Sequence, residues 1–137
     1  MKNGSLYKVF VGCFYMLDAK GQKVNCYKDY SMFKNTFGLA FFINSSSTGR
    51  CYVIYFAQDN NGWNYHTVFP VGKLIEEENR VCIKTRYNTF AWEQSEIIKS
   101  DQIESLYQWV KSNGETYIPG LTQHSGVKEY FEAGHHY

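Results

Sequence analysis

The chain has 137 residues, of which 44% are hydrophobic, 20% are charged and 2 are prolines, a composition that excludes a disordered tail or a linker-rich assembly. Its 14 Lys and Arg against 13 Asp and Glu leave a net charge of +1, which argues against a protein that binds long nucleic acid or a membrane surface through a basic excess. The length predicts a single domain over residues 1–137.

Neither export nor membrane insertion is expected. No run approaches the roughly 18 apolar residues that a transmembrane helix requires, and Lys8 interrupts the apolar stretch near the N-terminus. The cysteines form no C-x-x-C pair, which favours buried thiols in a reducing cytoplasm. A turn at 18–21 leaves two registers open: Cys13 faces Cys26 in one, and a bulge at Gly21 separates them in the other.

The first half of the chain is typical of antiparallel strands. Residues 6–17 are rich in Tyr, Val and Phe, and residues 23–27 can return after the turn. Asp29 can then cap a short helical turn that Gly38 closes. A hairpin of 39–44 with 51–57 follows, which we call the middle hairpin.

Two further hairpins are predicted beyond the middle hairpin. The turn sequence at 59–62 leads into a strand over 63–69. Because Pro70 has no amide to donate, this strand should end at Pro70 or lie on a sheet edge. Residues 80–87 and 90–97 can pair around 88–89, which would set Lys84 opposite Glu93.

The pattern changes to helical from Asp101. Asp101 and Glu104 form a capping box. Asn113 and Gly114 should end this helix after about 13 residues, and a second helix is expected from Ser125. One apolar face of the first helix contains Ile103, Leu106, Trp109 and Val110. The predicted fold class is therefore α+β, an antiparallel meander of about five to seven strands followed by two C-terminal helices.

Both faces of the middle hairpin require cover. Residues 39–43 and 51–57 are continuously apolar, whereas a strand with one wet face alternates apolar and polar residues. The two predicted C-terminal helices are short for covering both faces of such a sheet. The sheet can curl into a barrel or sandwich, a second subunit can cover it, or the free face can bind a ligand.

Aromatic and arginine side chains supply the candidate binding residues. Tyr and Trp are frequent at protein-binding hot spots, and aromatic rings beside Arg suit a nucleotide or single-stranded nucleic acid. The alternative interpretation is that the rings form the core. The candidate residues, here called the aromatic–arginine set, are Tyr52, Phe56, Trp63, Tyr65, Arg86, Tyr87 and Trp92.

No convincing catalytic or metal motif is present. Cys51 and His66 lie on strands predicted to be neighbours, so a Cys/His hydrolase is a minor alternative. His124, His135 and His136 are better explained by a solvated tail than by a metal site. The sequence contains neither a P-loop nor a dinucleotide fingerprint, and no cofactor is expected.

These observations predict a cytoplasmic, non-catalytic binding or inhibitor protein. Its partner would be another protein, which it neutralises, or a small anionic ligand, which it sequesters; homo-oligomerisation would also cover apolar strands. The main alternative is a nucleotide or single-stranded nucleic-acid binder. Lysine outnumbers arginine, and Asn, Tyr, Phe and Ile are abundant, which is typical of an AT-rich genome such as that of a bacteriophage or other mobile element.

Overall fold

A computed structural model describes residues 6–26, 28–34, 36–45, 49–59, 61–94 and 100–117. Within these ranges the chain forms seven strands, one 3-10 helix over Lys28–Phe33 and one α-helix, α1, over Ser100–Tyr117. The strands are β1 (Leu6–Leu17), β2 (Lys23–Val24), β3 (Phe37–Asn44), β4 (Arg50–Gln58), β5 (Asn64–Glu76), β6 (Arg80–Lys84) and β7 (Thr89–Glu93).

The sheet closes on itself. Consecutive strands from β3 to β7 pair antiparallel, and β1 pairs with β3 through residues 6–13 and with β7 through residues 13–17. Six strands therefore form a closed barrel, and β2 adds to the end of β1. The predicted antiparallel sheet is confirmed, with meander order from β3 to β7, but β3 pairs with β1 and not with β2. The second helix expected from Ser125 lies outside the described residues.

The barrel interior holds a cluster of aromatic rings. Inward-facing residues alternate with outward-facing ones along each strand, as a closed sheet requires. Trp92 is fully buried there, with its ring 5.1 Å from that of Phe69. Tyr55 is also fully buried, and its hydroxyl donates to the carbonyl of Thr36 at 2.9 Å. The 3-10 helix covers one end of the barrel. Its Tyr30 ring stacks on the Phe69 ring of the interior, with the two ring centroids 5.1 Å apart.

The middle hairpin is covered on both faces by its own chain. One face lines the barrel interior, and the other packs against α1 through Ile54 and Phe56, which are 4% and 0% exposed. The helix contributes Ile103, Leu106 and Val110 from its predicted apolar face. The expectation that both faces need cover is confirmed, and burying this hairpin requires neither a second subunit nor a ligand.

The α-helix continues past its predicted end. Asn113 and Gly114 lie inside α1, which has 18 residues and is therefore about 27 Å long. The side-chain amide of Asn113 donates to the carbonyl of Trp109 at 3.1 Å, and Gly114 is buried. The predicted stop was wrong because tertiary packing outweighs the weak helix propensity of these two residues.

Pro70 does not end its strand. The β5 strand runs through Pro70 to Glu76. Its pairing with β4 shifts register between Cys51 and Val53, so neither Pro70 nor Val71 is paired with a residue of β4. A bulge tolerates proline because no ladder hydrogen bond needs its missing amide. Beyond the bulge, β5 begins to pair with β6 at Lys73.

The hairpin of β6 and β7 has a different register from the predicted one. Lys84 faces Thr89, and it is Arg80 that faces Glu93. The turn lies at 85–88, where the Thr85 amide donates to the Asn88 carbonyl at 2.8 Å and the Asn88 amide donates to Thr85 Oγ1 at 3.1 Å. These bonds place the turn earlier than the predicted 88–89 position.

The hairpin of β1 and β2 separates the two cysteines. Asp18 Oδ1 accepts the amides of Lys20 and Gln22, and Gly21 adopts a φ of 79°, which favours glycine. Leu17 faces Lys23, so the five-residue turn selects the register in which Cys13 and Cys26 are apart. None of the four cysteines forms a disulfide.

Candidate functional site

An open groove lies between two hairpin ends on the outer face of the barrel. One wall is the β1–β2 hairpin and the other is the β6–β7 hairpin with the start of β6. Its volume of about 670 Å³ falls within the range of small-molecule sites. We call this feature the hairpin groove.

The floor of the hairpin groove is apolar. Leu17 and Cys82 line it, and both are nearly fully buried. Tyr15 and Ala91 pack against them in the same cluster. Burial raises the pKa of the Cys82 thiol to about 11, so this side chain is a neutral, apolar surface at pH 7.

Arg80 is held in a fixed orientation at one end of the groove. Its Nη2 and Nε lie 2.6 and 2.8 Å from Glu77 Oε2, and its Nη1 donates to the Tyr15 hydroxyl at 3.2 Å. Tyr15 in turn donates to Glu93 Oε2 at 2.6 Å. Burial and the bond to Glu93 raise the pKa of Tyr15 to about 12, so the phenol remains protonated and continues to donate.

The opposite end of the groove carries unpaired positive charge. Lys84 and Arg86 are exposed, and no carboxylate in the described part of the chain lies within salt-bridge distance of either. The Arg86 guanidinium lies 5.4 Å from the Tyr87 ring centroid, and Tyr87 is 80% exposed. Arg80 and Lys84 occupy the same face of β6, about 13 Å apart along the strand.

The structure divides the aromatic–arginine set among four places. Arg86 and Tyr87 line the hairpin groove, whereas Trp92 is buried in the barrel. Tyr52 and Phe56 pack in the cluster under α1. Trp63 lies at the turn between β4 and β5, and Tyr65 lies at the start of β5, where its hydroxyl donates to Asp59 and its ring packs beside Phe33. The seven residues therefore do not form one surface, because the inward–outward alternation of a closed barrel separates them.

Sequence reasoning missed Arg80, Lys84 and Tyr15. Arg80 and Lys84 are separated by four positions on a strand, and this even spacing places both on one face. That signal was available once β6 was recognised. Tyr15 has no such signal, because it meets Arg80 and Glu93 only through the closure of β1 on β7.

The arrangement of Cys51 and His66 does not suit a catalytic dyad. Their strands are neighbours, as predicted, but Cys51 pairs with Gly72 and His66 pairs with Phe56. Cys51 faces the barrel interior, whereas Phe56 and its partner His66 face outward. Five to six residues also separate the two positions along β5, or about 20 Å. His124, His135 and His136 lie outside the described residues.

No protein-family model, curated protein or solved structure matches this chain. Among the described residues, the one α-helix is not apolar enough over its length to span a bilayer. The function of this chain therefore has to be inferred from the hairpin groove itself.

The buried thiol of Cys82 predicts alkaline destabilisation. Its pKa is about 11 in the fold against an ordinary 9.0, so the folded state retains a proton that the unfolded state releases between these values. The free energy of unfolding should be unaffected by this group below pH 9 and fall as the pH rises to 11. Urea titrations from pH 8 to 11 should show this slope, and Cys82→Ala should reduce it. An equal slope in the variant would contradict the assignment to Cys82.

Proposed function

We propose that this chain is a non-catalytic binding protein that captures a small anionic ligand in the hairpin groove. The observation that carries the proposal is the combination within one groove of uncompensated Lys84 and Arg86 with an apolar floor. Such a site attracts a negatively charged group and simultaneously buries an apolar one.

The exposed Tyr87 ring favours a ligand that contains both phosphate and a planar ring. Arg86 can form a forked pair with phosphate oxygens, and the adjacent ring offers a stacking surface. Arg80, already oriented by Glu77 and Tyr15, adds a second guanidinium with little further loss of side-chain entropy. A nucleotide has the required chemistry.

Replacing Arg86 with alanine should weaken nucleotide binding by roughly ten- to a hundredfold, because a charge-assisted hydrogen bond contributes about 1.5–3 kcal/mol. The probe is fluorescently labelled adenosine monophosphate, titrated against the protein, with inorganic phosphate as a competitor. Arg50→Ala is the matched control, since Arg50 is exposed at the start of β4 and does not line the groove. Equal affinities for the wild type and Arg86→Ala would contradict the proposal.

A protein partner is the second candidate. An exposed apolar strip lies along β5 and the turn before it. Its side chains are Trp63, Val68 and Val71, which are 65%, 50% and 43% exposed. Large exposed apolar side chains are typical of protein contacts. The groove carries the primary proposal because its cationic side chains and apolar floor specify the chemistry of a ligand, whereas the strip specifies only an apolar contact.

A further inference from the structure

Positive charge is concentrated at one end of the barrel despite the nearly neutral chain. Segments 18–36 and 80–89, which supply most of the lining of the hairpin groove, hold seven basic and two acidic residues, and Glu77 adds a further carboxylate to the lining. The rest of the chain holds seven basic and eleven acidic residues, so it is net negative. When Glu77, which pairs with Arg80, and Glu93, which lies 3.9 Å from Lys23, are included, the region has seven basic and four acidic residues, so the net charge of +1 conceals a region of about three net positive charges.

A second depression lies on the other side of β2. It has a volume of about 440 Å³ and is lined by Tyr15, Lys23, Val24, Asn25 and Lys34. Val24 and Asn25 line both this depression and the hairpin groove. The two sites are thus separated by a single strand, about 5 Å wide.

The second depression also presents cationic side chains. Lys34 Nζ donates to Asn25 Oδ1 at 2.5 Å, and Lys23 Nζ lies 4.4 Å from the Tyr15 ring centroid. Lys23 is only 3.9 Å from Glu93 Oε2 but is 64% exposed at its side chain, so it remains available to solvent. We call Lys23, Lys34, Arg80, Lys84 and Arg86 the basic band.

We infer that the basic band binds a short single-stranded nucleic acid, with one nucleotide in the hairpin groove and the adjoining backbone crossing β2 to Lys23 and Lys34. This inference rests on the proposed function and extends it to a polymer. A phosphodiester chain places anions on both sides of β2, which a mononucleotide cannot do. The exposed Tyr87 ring favours nucleic acid over an acidic peptide, because every base can stack on it.

The test compares a mononucleotide with an oligonucleotide. The probes are labelled adenosine monophosphate and labelled single-stranded oligoadenylate of about eight nucleotides, measured by fluorescence anisotropy between about 50 and 200 mM salt. The band variant is Lys23→Gln with Lys34→Gln. The control variant is Arg50→Gln with Lys111→Gln, which removes the same charge from exposed positions outside the basic band.

The expected result is that the band variant binds oligoadenylate at least about tenfold more weakly and binds the mononucleotide as the wild type does. The slope of log affinity against log salt should decrease by about 1.4, which corresponds to two lost phosphate contacts on a single strand. The control variant should retain the affinity and slope of the wild type for both probes.

Four results would overturn the inference. If the control variant loses as much affinity as the band variant, net charge and not the basic band explains binding. If wild-type protein binds oligoadenylate no more tightly than the mononucleotide, the extension across β2 is wrong while the proposed function stands. If polyglutamate of equal charge displaces oligoadenylate as well as unlabelled oligoadenylate does, the site recognises acidic peptides. If neither probe binds, the proposed function fails as well.

Discussion

Trp92→Ala is expected to lower the free energy of unfolding by about 3–5 kcal/mol. Trp92 is fully buried in the barrel interior, and its ring lies 5.1–5.5 Å from those of Phe14, Phe42 and Phe69. Its removal leaves a cavity that a closed sheet cannot collapse to fill, since every strand is held by two neighbours. A loss of this size is a large part of the 5–15 kcal/mol typical of a whole domain.

Urea denaturation followed by circular dichroism measures this loss, and Trp63→Ala is the matched control. Trp63 is 65% exposed, so the same chemical truncation should cost less than about 0.5 kcal/mol there. If Trp92→Ala does not fold, Trp92→Phe leaves a smaller cavity and should still be clearly less stable than Trp63→Ala. Similar losses at positions 92 and 63 would contradict the placement of Trp92 in the core.

Gly38→Ala is expected to cost about 3 kcal/mol, the upper end of the usual cost of overpacking. A Cβ atom at Gly38 would lie 2.0 Å from the Phe56 carbonyl oxygen and 2.8 Å from the Ala57 Cα atom. Both neighbours are backbone atoms of β4, so the clash cannot be relieved by rotating a side chain. Gly38 pairs with Gly12 on β1 and with Ala57 on β4, and this row of small residues allows the strands to approach closely.

The control for Gly38→Ala is Gly62→Ala. Gly62 has a φ of 82°, and a Cβ atom added there would have no neighbour within 4 Å, so alanine incurs only backbone strain of about 1–2 kcal/mol. Urea midpoints at equal m-values give the two losses, and the loss at position 38 should be the larger because it comes from a steric clash with backbone atoms. If Gly38→Ala loses less free energy of unfolding than Gly62→Ala, the close approach of β3 to β4 at Gly38 would be contradicted.

The local pattern of apolar and polar residues predicted most of the strands. It failed where contacts between distant parts of the chain decide where a strand or helix ends. Continuous apolar runs identified β3 and β4, and the need to cover both of their faces was confirmed. Pro70 was wrongly assigned as a strand end because the bulge that accommodates it is a property of its pairing with β4. The helix end at Asn113 was wrong as well: Gly114 is buried within α1, and the Asn113 side chain donates to the Trp109 carbonyl of the same helix.

The hairpin groove was only partly predictable for the same physical reason. Arg86 and Tyr87 were selected because aromatic side chains interleaved with arginine suit a nucleotide or single-stranded nucleic acid. Arg80 and Lys84 share a face of β6 through their even spacing, which the sequence contains, but the residues that they face on β7 depend on hydrogen bonds within the turn at 85–88. The apolar floor required the pairing of β1 with β7, and no short-range pattern in the sequence indicates that closure.

The pairing of β1 with β7 has a consequence for the order in which the chain acquires its structure. This pairing joins residues between 72 and 80 positions apart, so during synthesis β1 leaves the ribosome long before its final partner exists. Ring closure over such a separation is entropically costly and makes folding slow relative to that of a local hairpin. Until β7 emerges, one edge of β1 and the aromatic interior remain open to aggregation, and chaperones would find their binding sites there.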